Sequence, residues 1–206
     1  MQTFVDKNYG YAAALLRSTK FTQSNGPINS VHFAIGWNYK GRSHPELVNQ
    51  PVLAVAFDRY KQQWDFPGGR NASKALDPVV QFLETAYKEL YEELAVIITA
   101  PLESFVLEII RCGANGRSFL VVCGIKGLVE QNFRAVMNHR QSIRPRLDTR
   151  FLEMSDFAYL GAGDKNLLTH STGYVKGHHA RVLNIVKNHS GFFPAFDSVM
   201  RIKAHM

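Results

Sequence analysis

The stretch WDFPGGRNASKALDPVVQFLETAYKELYEELAV, residues 64–96, decides how this chain is read. Trp64-Asp65-Phe66 has the composition of a short strand, and Pro67-Gly68-Gly69 ends it abruptly. Asp77 followed by Pro78 then marks a helix start. The carboxylate accepts from free amides of the first turn, and proline at the first helical position sacrifices no hydrogen bond. Val79, Phe82 or Leu83, Ala86, Leu90 and Leu94 recur at spacings of three to four, which predicts one buried helical stripe. On the same helix Glu89, Glu92 and Glu93 stand at i, i+3 and i+4, so their carboxylates leave one face from neighbouring turns. Three acids so crowded repel one another. A hard divalent cation such as Mg²⁺ or Mn²⁺ offsets that repulsion and recruits phosphate oxygens, whereas an ordinary solvated acidic face is the alternative.

Outward from this segment, Val31 to Trp37 and Val52 to Phe57 read as strands, the second as a buried one. Beyond Pro101, Ser104 to Arg111 and Ser118 to Ile125 form an expected antiparallel hairpin around Gly113-Ala114-Asn115-Gly116. Arg150 to Met154 is a further strand candidate. Tyr11 to Arg17 and Val175 to His189 are helical, the latter amphipathic. Strands before and after a central helix, with a terminal helix, predict an α/β (α+β) fold with a mixed sheet sandwiched between helices. Residues 1–27 are expected as an N-terminal extension and 28–206 as one domain, because 206 residues leave room for one core and little for a second.

The combination of Gly68-Gly69 with Lys88-Glu89-Leu90-Tyr91-Glu92-Glu93-Leu94-Ala95-Val96 resembles the signature of the Nudix hydrolase family. That signature is a glycine, five residues, Glu, seven residues, then Arg-Glu-apolar-x-Glu-Glu-x-Gly-apolar in a loop-helix-loop. Three positions depart from it. Lys88 stands where the family has arginine, Ala95 stands where it has the closing glycine, and the loop Arg70 to Leu76 absorbs five surplus residues. No residue therefore takes the role of the early family glutamate, for which Glu84 is a poor substitute.

The resemblance implies hydrolysis of a diphosphate linkage in a nucleoside diphosphate derivative, by water attack at phosphorus. It implies Glu89, Glu92 and Glu93 as ligands of Mg²⁺ or Mn²⁺ and as catalytic groups. Asp148 is the candidate general base, with Glu130 and Glu89 beside it. Gly68, Gly69 and Arg70 are candidate substrate contacts next to the metal. Homodimers are common among such proteins, so a homodimer is a candidate assembly.

The formal charge of +7 is unevenly placed. Residues 1–130 carry 13 basic and 12 acidic side chains, and residues 131–206 carry 11 and 5, so the basic character belongs to the last third. Arg134, Arg140, Arg144, Arg146 and Arg150 have only Asp148 among them. Arginine presents a planar fork to phosphate oxygens, which makes Arg144 and Arg146 candidate substrate contacts and RNA a candidate partner. A solvated basic face is the competing reading.

Two cysteines, Cys112 and Cys123, exclude a disulfide scaffold and are expected to be reduced and inert. No apolar run approaches the ~18 residues of a membrane span. Met1 to Tyr11 lacks the basic-then-apolar order of a secretory signal, so a cytoplasmic, membrane-free protein is expected. Two functional classes remain. One is a metal-dependent diphosphate hydrolase acting on acid anhydrides, of which cleavage of an RNA cap or 5′-diphosphate is a narrower form. The other is a catalytically weak module of the same fold that binds RNA or another polyanion through the basic third. Three crowded glutamates held beside a glycine turn favour the enzyme, since a binding module has little physical use for them.

Overall fold

The computed structural model describes residues 1–126, 138–142 and 149–202. Its largest element is a seven-stranded mixed sheet. In chain order the elements are α1 (Gln2–Ser18), β1 (Ser30–Asn38), β2 (Pro51–Asp58), β3 (Gln63–Asp65), β4 (Gly68–Arg70), α2 (Pro78–Leu94), β5 (Val96–Ile98), β6 (Val106–Cys112), β7 (Ser118–Gly124), β8 (Met154–Gly161), α3 (Lys165–Thr169), α4 (Gly173–His189), α5 (Phe196–Val199) and β9 (Met200–Ile202). Strand β1 runs parallel to β7, while β6 and β7 form the antiparallel hairpin expected from the glycine-rich reversal. β5 and β9 pair separately as a two-stranded sheet.

The sheet forks between β1 and β2. The two strands pair at Gly36–Leu53, Trp37–Val52 and Asn38–Pro51, and then diverge. The chain of β3 and β4 fills the gap: β3 pairs with β2 at Ala56, Phe57 and Asp58, and β4 pairs with β1 at Ser30, Val31 and His32. The crossing lies at Phe66-Pro67, whose carbonyl at Pro67 accepts from Phe33 N–H at 2.7 Å. This fork is what brings Gly68 and Gly69 into the middle of one face.

Period-2 alternation divides the core between the faces. Val31, Phe33 and Ile35 join Val52, Ala54 and Ala56 under α1 and α2. Ala34, Leu53, Val55, Leu120 and Val122 meet Val175, Val182, Leu183 and Val186 of α4 on the other side. The mixed sheet between helices is the architecture expected from the sequence. Residues 1–27 carry a helix longer than expected, since it begins at Gln2, and Phe4, Val5, Ala12 and Leu16 enter the same core as α2.

Helix α2 follows the sequence reading closely. Asp77 caps it, its carboxylate accepting from Val79 N–H at 2.8 Å, and Phe82, Leu83, Ala86, Leu90 and Leu94 are buried. The helix stops at Ala95, which adopts the left-handed conformation (φ 55°, ψ 28°) that helix ends usually give to glycine. The five-residue surplus in the preceding loop is stitched down. Ser73 Oγ donates to Glu84 at 2.5 Å, Thr85 Oγ1 to Asn71 at 3.0 Å and Gln81 Nε2 to Ala75 O at 2.7 Å. Glu84 is thereby committed to the loop and takes no part in the cluster formed by the later glutamates.

Gly68 and Gly69, expected to end a strand in a turn, instead begin β4 because β1 is there to pair with them, and one further strand is displaced. Residues Thr149–Leu152 form a 3₁₀ turn, and the strand begins at Met154 and pairs along β2 to Gly161. Ser155 and Asp156 break its apolar pattern, so its existence depends on β2 as partner. Both cysteines are buried free thiols, and burial raises the pKa of each.

Candidate functional site

Glu89, Glu92 and Glu93 are buried, at 6%, 7% and 3% exposure, so the solvated-face reading fails. Strand β4 lies across them. Gly68 N–H donates to Glu93 Oε2, and the Glu89 carboxylate packs against Gly69, where a Cβ would come within 2.3 Å of Oε2. Lys88 Nζ stands 3.4 Å from Glu89 Oε1 and 3.2 Å from Glu92 Oε2. Burial alone would lower the Lys88 pKa, but Glu89 and Glu92 outweigh it and raise it.

A second acidic group faces this one from the β2–β3 turn. Asp58 is fully buried and its Oδ1 accepts from Tyr60 and Lys61 N–H at 2.8 and 2.9 Å, which fixes the turn. Asp65 Oδ1 accepts from Phe66 N–H and Thr172 Oγ1, both at 2.9 Å. Lys61 Nζ joins the pair, 2.8 Å from Asp58 Oδ2 and 3.0 Å from Asp65 Oδ2. Between the groups stands half-buried Glu153, whose charge acts on Glu89 and Glu93 and feels Asp58, Asp65 and Glu92. Glu153 arrives here because β8 runs antiparallel to β2 with Met154 opposite Asp58, a pairing no local pattern announces. Six carboxylates thus face two ammoniums, an excess of negative charge suited to cations.

That excess has a pH signature. Burial holds the Glu93 carboxyl well above the usual carboxylate range; Gly68 N–H opposes the shift, while Glu89 and Glu153 add to it. Glu89 and Glu153 are also raised, burial being the largest cause in each. A carboxyl whose folded pKa lies above its unfolded value penalises the folded state wherever it is ionised. The penalty shrinks as pH falls through the folded pKa and is gone below the unfolded one, near 4.5. In EDTA the protein is therefore expected to gain from this cluster at about pH 5.5 relative to about pH 8.5, and Glu93→Gln should flatten the dependence. Thermal melts across that range check it; an unchanged slope in the variant contradicts it.

Arg140 corrects the sequence reading. Grouped there with the basic surface, it is 5% exposed, and its guanidinium donates to the carbonyls of Tyr91 at 2.9 Å, Glu92 at 2.6 Å and Glu93 at 3.2 Å, and sits 5.6 Å over the Phe151 ring. A cation at the carbonyl end of a helix is favoured by both hydrogen bonding and the helix dipole. It braces the turn that presents the glutamates and is spent for phosphate. Arg140→Ala is expected to lower stability by about 2 kcal/mol, because buried carbonyls lose a charged donor. Chemical denaturation measures this, and a loss below about 0.5 kcal/mol would contradict the bracing role.

Arg70 projects exposed from the end of β4. Asp148, Glu130, Arg144 and Arg146 lie outside the described residues, as does Arg134. Trp37 and Phe66 are buried in the core, so neither ring is free to stack on a base. A cavity of about 570 Å³ lined by His44, Glu46, Gln50, Tyr159 and Asp164 lies toward the other end of β8, where Tyr159 pairs with Ala54. It is separate from the glutamates.

Among the described residues no three acidic, histidine or cysteine side chains converge on one metal position, because Glu93 is turned to Gly68 and Lys88 stands between Glu89 and Glu92. The donor chemistry, hard oxygen ligands in an excess of negative charge, nevertheless fits Mg²⁺ or Mn²⁺. No helix among the described residues is long and apolar enough to cross a membrane.

Fold and site together define a mixed α/β sandwich in which a glycine strand lies over a buried glutamate face. No family model matches the chain, and no curated protein matches it. Among solved structures it is similar to the NUDIX domain of Shewanella oneidensis NrtR, crystallised with ADP ribose (TM-score 0.42, 13% identity, 79% of this chain and 88% of that one). It is also similar to a UDP-X diphosphatase (TM-score 0.40, 12% identity, 90% of this chain and 73% of that one).

Proposed function

We propose that the protein is a Nudix-type, divalent-metal-dependent hydrolase of a diphosphate linkage in a nucleoside diphosphate derivative. The observation that carries this reading is the buried face of Glu89, Glu92 and Glu93 packed under Gly68 and Gly69. Burying three carboxylates is costly, and a chain has little reason to do so unless the charge is used.

Glu89, Glu92 and Glu93 would hold the Mg²⁺ or Mn²⁺ ion. When bound, such an ion neutralises diphosphate charge and acidifies water. The protein's own groups orient and exclude. Gly68 N–H fixes the Glu93 carboxylate, and Gly69 lets the Glu89 carboxylate lie against the strand. Arg140 holds the last turn of α2 so that the three side chains keep their spacing. Glu153, on a different element from the other three and within electrostatic reach of Glu89 and Glu93, is our candidate to accept the proton of the attacking water, alongside Glu89. Arg70 is the exposed cation at the end of the glycine strand and the candidate phosphate contact.

A panel of ADP-ribose, nucleotide sugars, dinucleoside polyphosphates, NADH, capped RNA and inositol pyrophosphates, assayed with Mg²⁺, Mn²⁺ or EDTA, tests the proposal. Cleavage of at least one member in either metal, abolished by EDTA, is the expected result. No cleavage of any member, or cleavage indifferent to EDTA, overturns it.

A further inference from the structure

We propose that Lys88 is the resident counter-cation of Glu89 and Glu92, and that a divalent ion binds this pair by expelling the lysine ammonium to solvent. The inference rests on the metal-dependent reading above and adds to it the step by which the metal gains access. Lys88 Nζ stands 3.4 Å from Glu89 and 3.2 Å from Glu92, and both carboxylates are buried. Two cations on one poorly solvated carboxylate pair repel each other, so metal and ammonium compete for the same two groups. The lysine side chain is 32% exposed on a flexible four-carbon stem, which leaves it a way out. Once displaced, it stays at the rim as a free cation where a diphosphate would lie.

The second lysine of the site, Lys61, has the more exposed side chain (49% against 32%), so what fixes it is its partners and not burial. Lys61 sits closer to its partners, and those partners also hold backbone: Asp58 takes the N–H groups of Tyr60 and Lys61, and Asp65 takes that of Phe66 and the hydroxyl of Thr172. Asp58 and Asp65 outweigh the effect of burial and hold the Lys61 pKa above the ordinary lysine value. Lys88 instead bridges side chains of its own helix at 3.2 and 3.4 Å, longer than either contact of Lys61. It is the exchangeable member of the two.

The test is a Mn²⁺ titration at about pH 8, with free ion followed by electron paramagnetic resonance, on wild type, Lys88→Met, Lys88→Gln and Glu93→Gln, each checked for folding by circular dichroism. Removing the competitor should tighten Mn²⁺ binding about fivefold in both lysine variants, the scale of a partly exposed ion pair. Unchanged or weaker binding in folded lysine variants overturns the inference while leaving the metal site itself in place. Wild type that binds Mn²⁺ no better than Glu93→Gln overturns both the inference and the proposed function. A second readout avoids substitution at the site. In wild-type protein, the Lys88 ammonium resonance, assigned by its loss in Lys88→Gln, should move toward that of a solvent-exposed lysine on adding Mg²⁺, while that of Lys61 stays. A Lys88 resonance unmoved at saturating Mg²⁺ overturns the competition.

Discussion

Glu93→Gln is expected to lower diphosphate turnover by roughly a hundredfold or more while leaving the fold intact. The two effects separate because of how Glu93 is held. Its Oε2 accepts from Gly68 N–H, and a glutamine oxygen can accept the same bond, so the strand stays on the helix. The neutral amide also escapes the desolvation that raises the Glu93 pKa, so the variant should melt no lower than wild type above neutral pH. What it loses is the charge of one proposed ligand of the divalent ion. Steady-state rates with Mn²⁺ and a melt in EDTA measure both quantities. Undiminished turnover would remove Glu93 from the mechanism, and a collapsed melt would show that its role is structural.

Gly68→Ala is expected to cost about 3 kcal/mol or more, a fall in Tm of roughly 6–12 °C for a domain of this size. At Gly68 φ is +145°, and a Cβ would come within 2.3 Å of His32 Cα and 2.4 Å of the Val31 carbonyl oxygen. Both are backbone atoms of β1, which is clamped in turn by its parallel pairing with β7. Nothing there yields without unzipping β4. The neighbouring glycine offers a control. A Cβ at Gly69 meets the Glu89 carboxylate, the far end of a flexible side chain. Gly69→Ala should therefore cost at most about 1 kcal/mol while displacing a proposed metal ligand. Equal destabilisation by the two substitutions would contradict this division of labour between adjacent glycines.

Helix α2 and its glutamate face are legible in residues 64–96 because everything that defines them is local. The Asp77-Pro78 cap, the apolar stripe and the i, i+3, i+4 acids all lie within one helix. The β6–β7 hairpin is legible for the same reason, its turn supplied by Gly113 and Gly116 at positive φ. Strand β4 is not, since two glycines and an arginine have no strand propensity and pair only because β1 and β2 diverge around them. Glu153 joins the site through the register of β8 against β2, a contact across about a hundred residues that no window of sequence contains.

Arg140 shows most plainly where local reading stops. Charge patterning placed it among basic surface residues, yet it is buried against the carbonyl end of α2, 48 positions away from Glu92 in the chain. A side chain's charge is a property of the residue, but whether that charge meets water, a carboxylate or a helix terminus depends on which distant backbone packs against it. Helical periodicity and capping act over a few residues, so the presence of an acidic helix face followed from composition and spacing. Burial and pairing come from long-range packing. The fold therefore decided that this face lies under Gly68 and Gly69 and that Glu153 and Arg140 complete it, whereas the pairing of Lys88 with Glu89 and Glu92 is as local as the helix that carries all three.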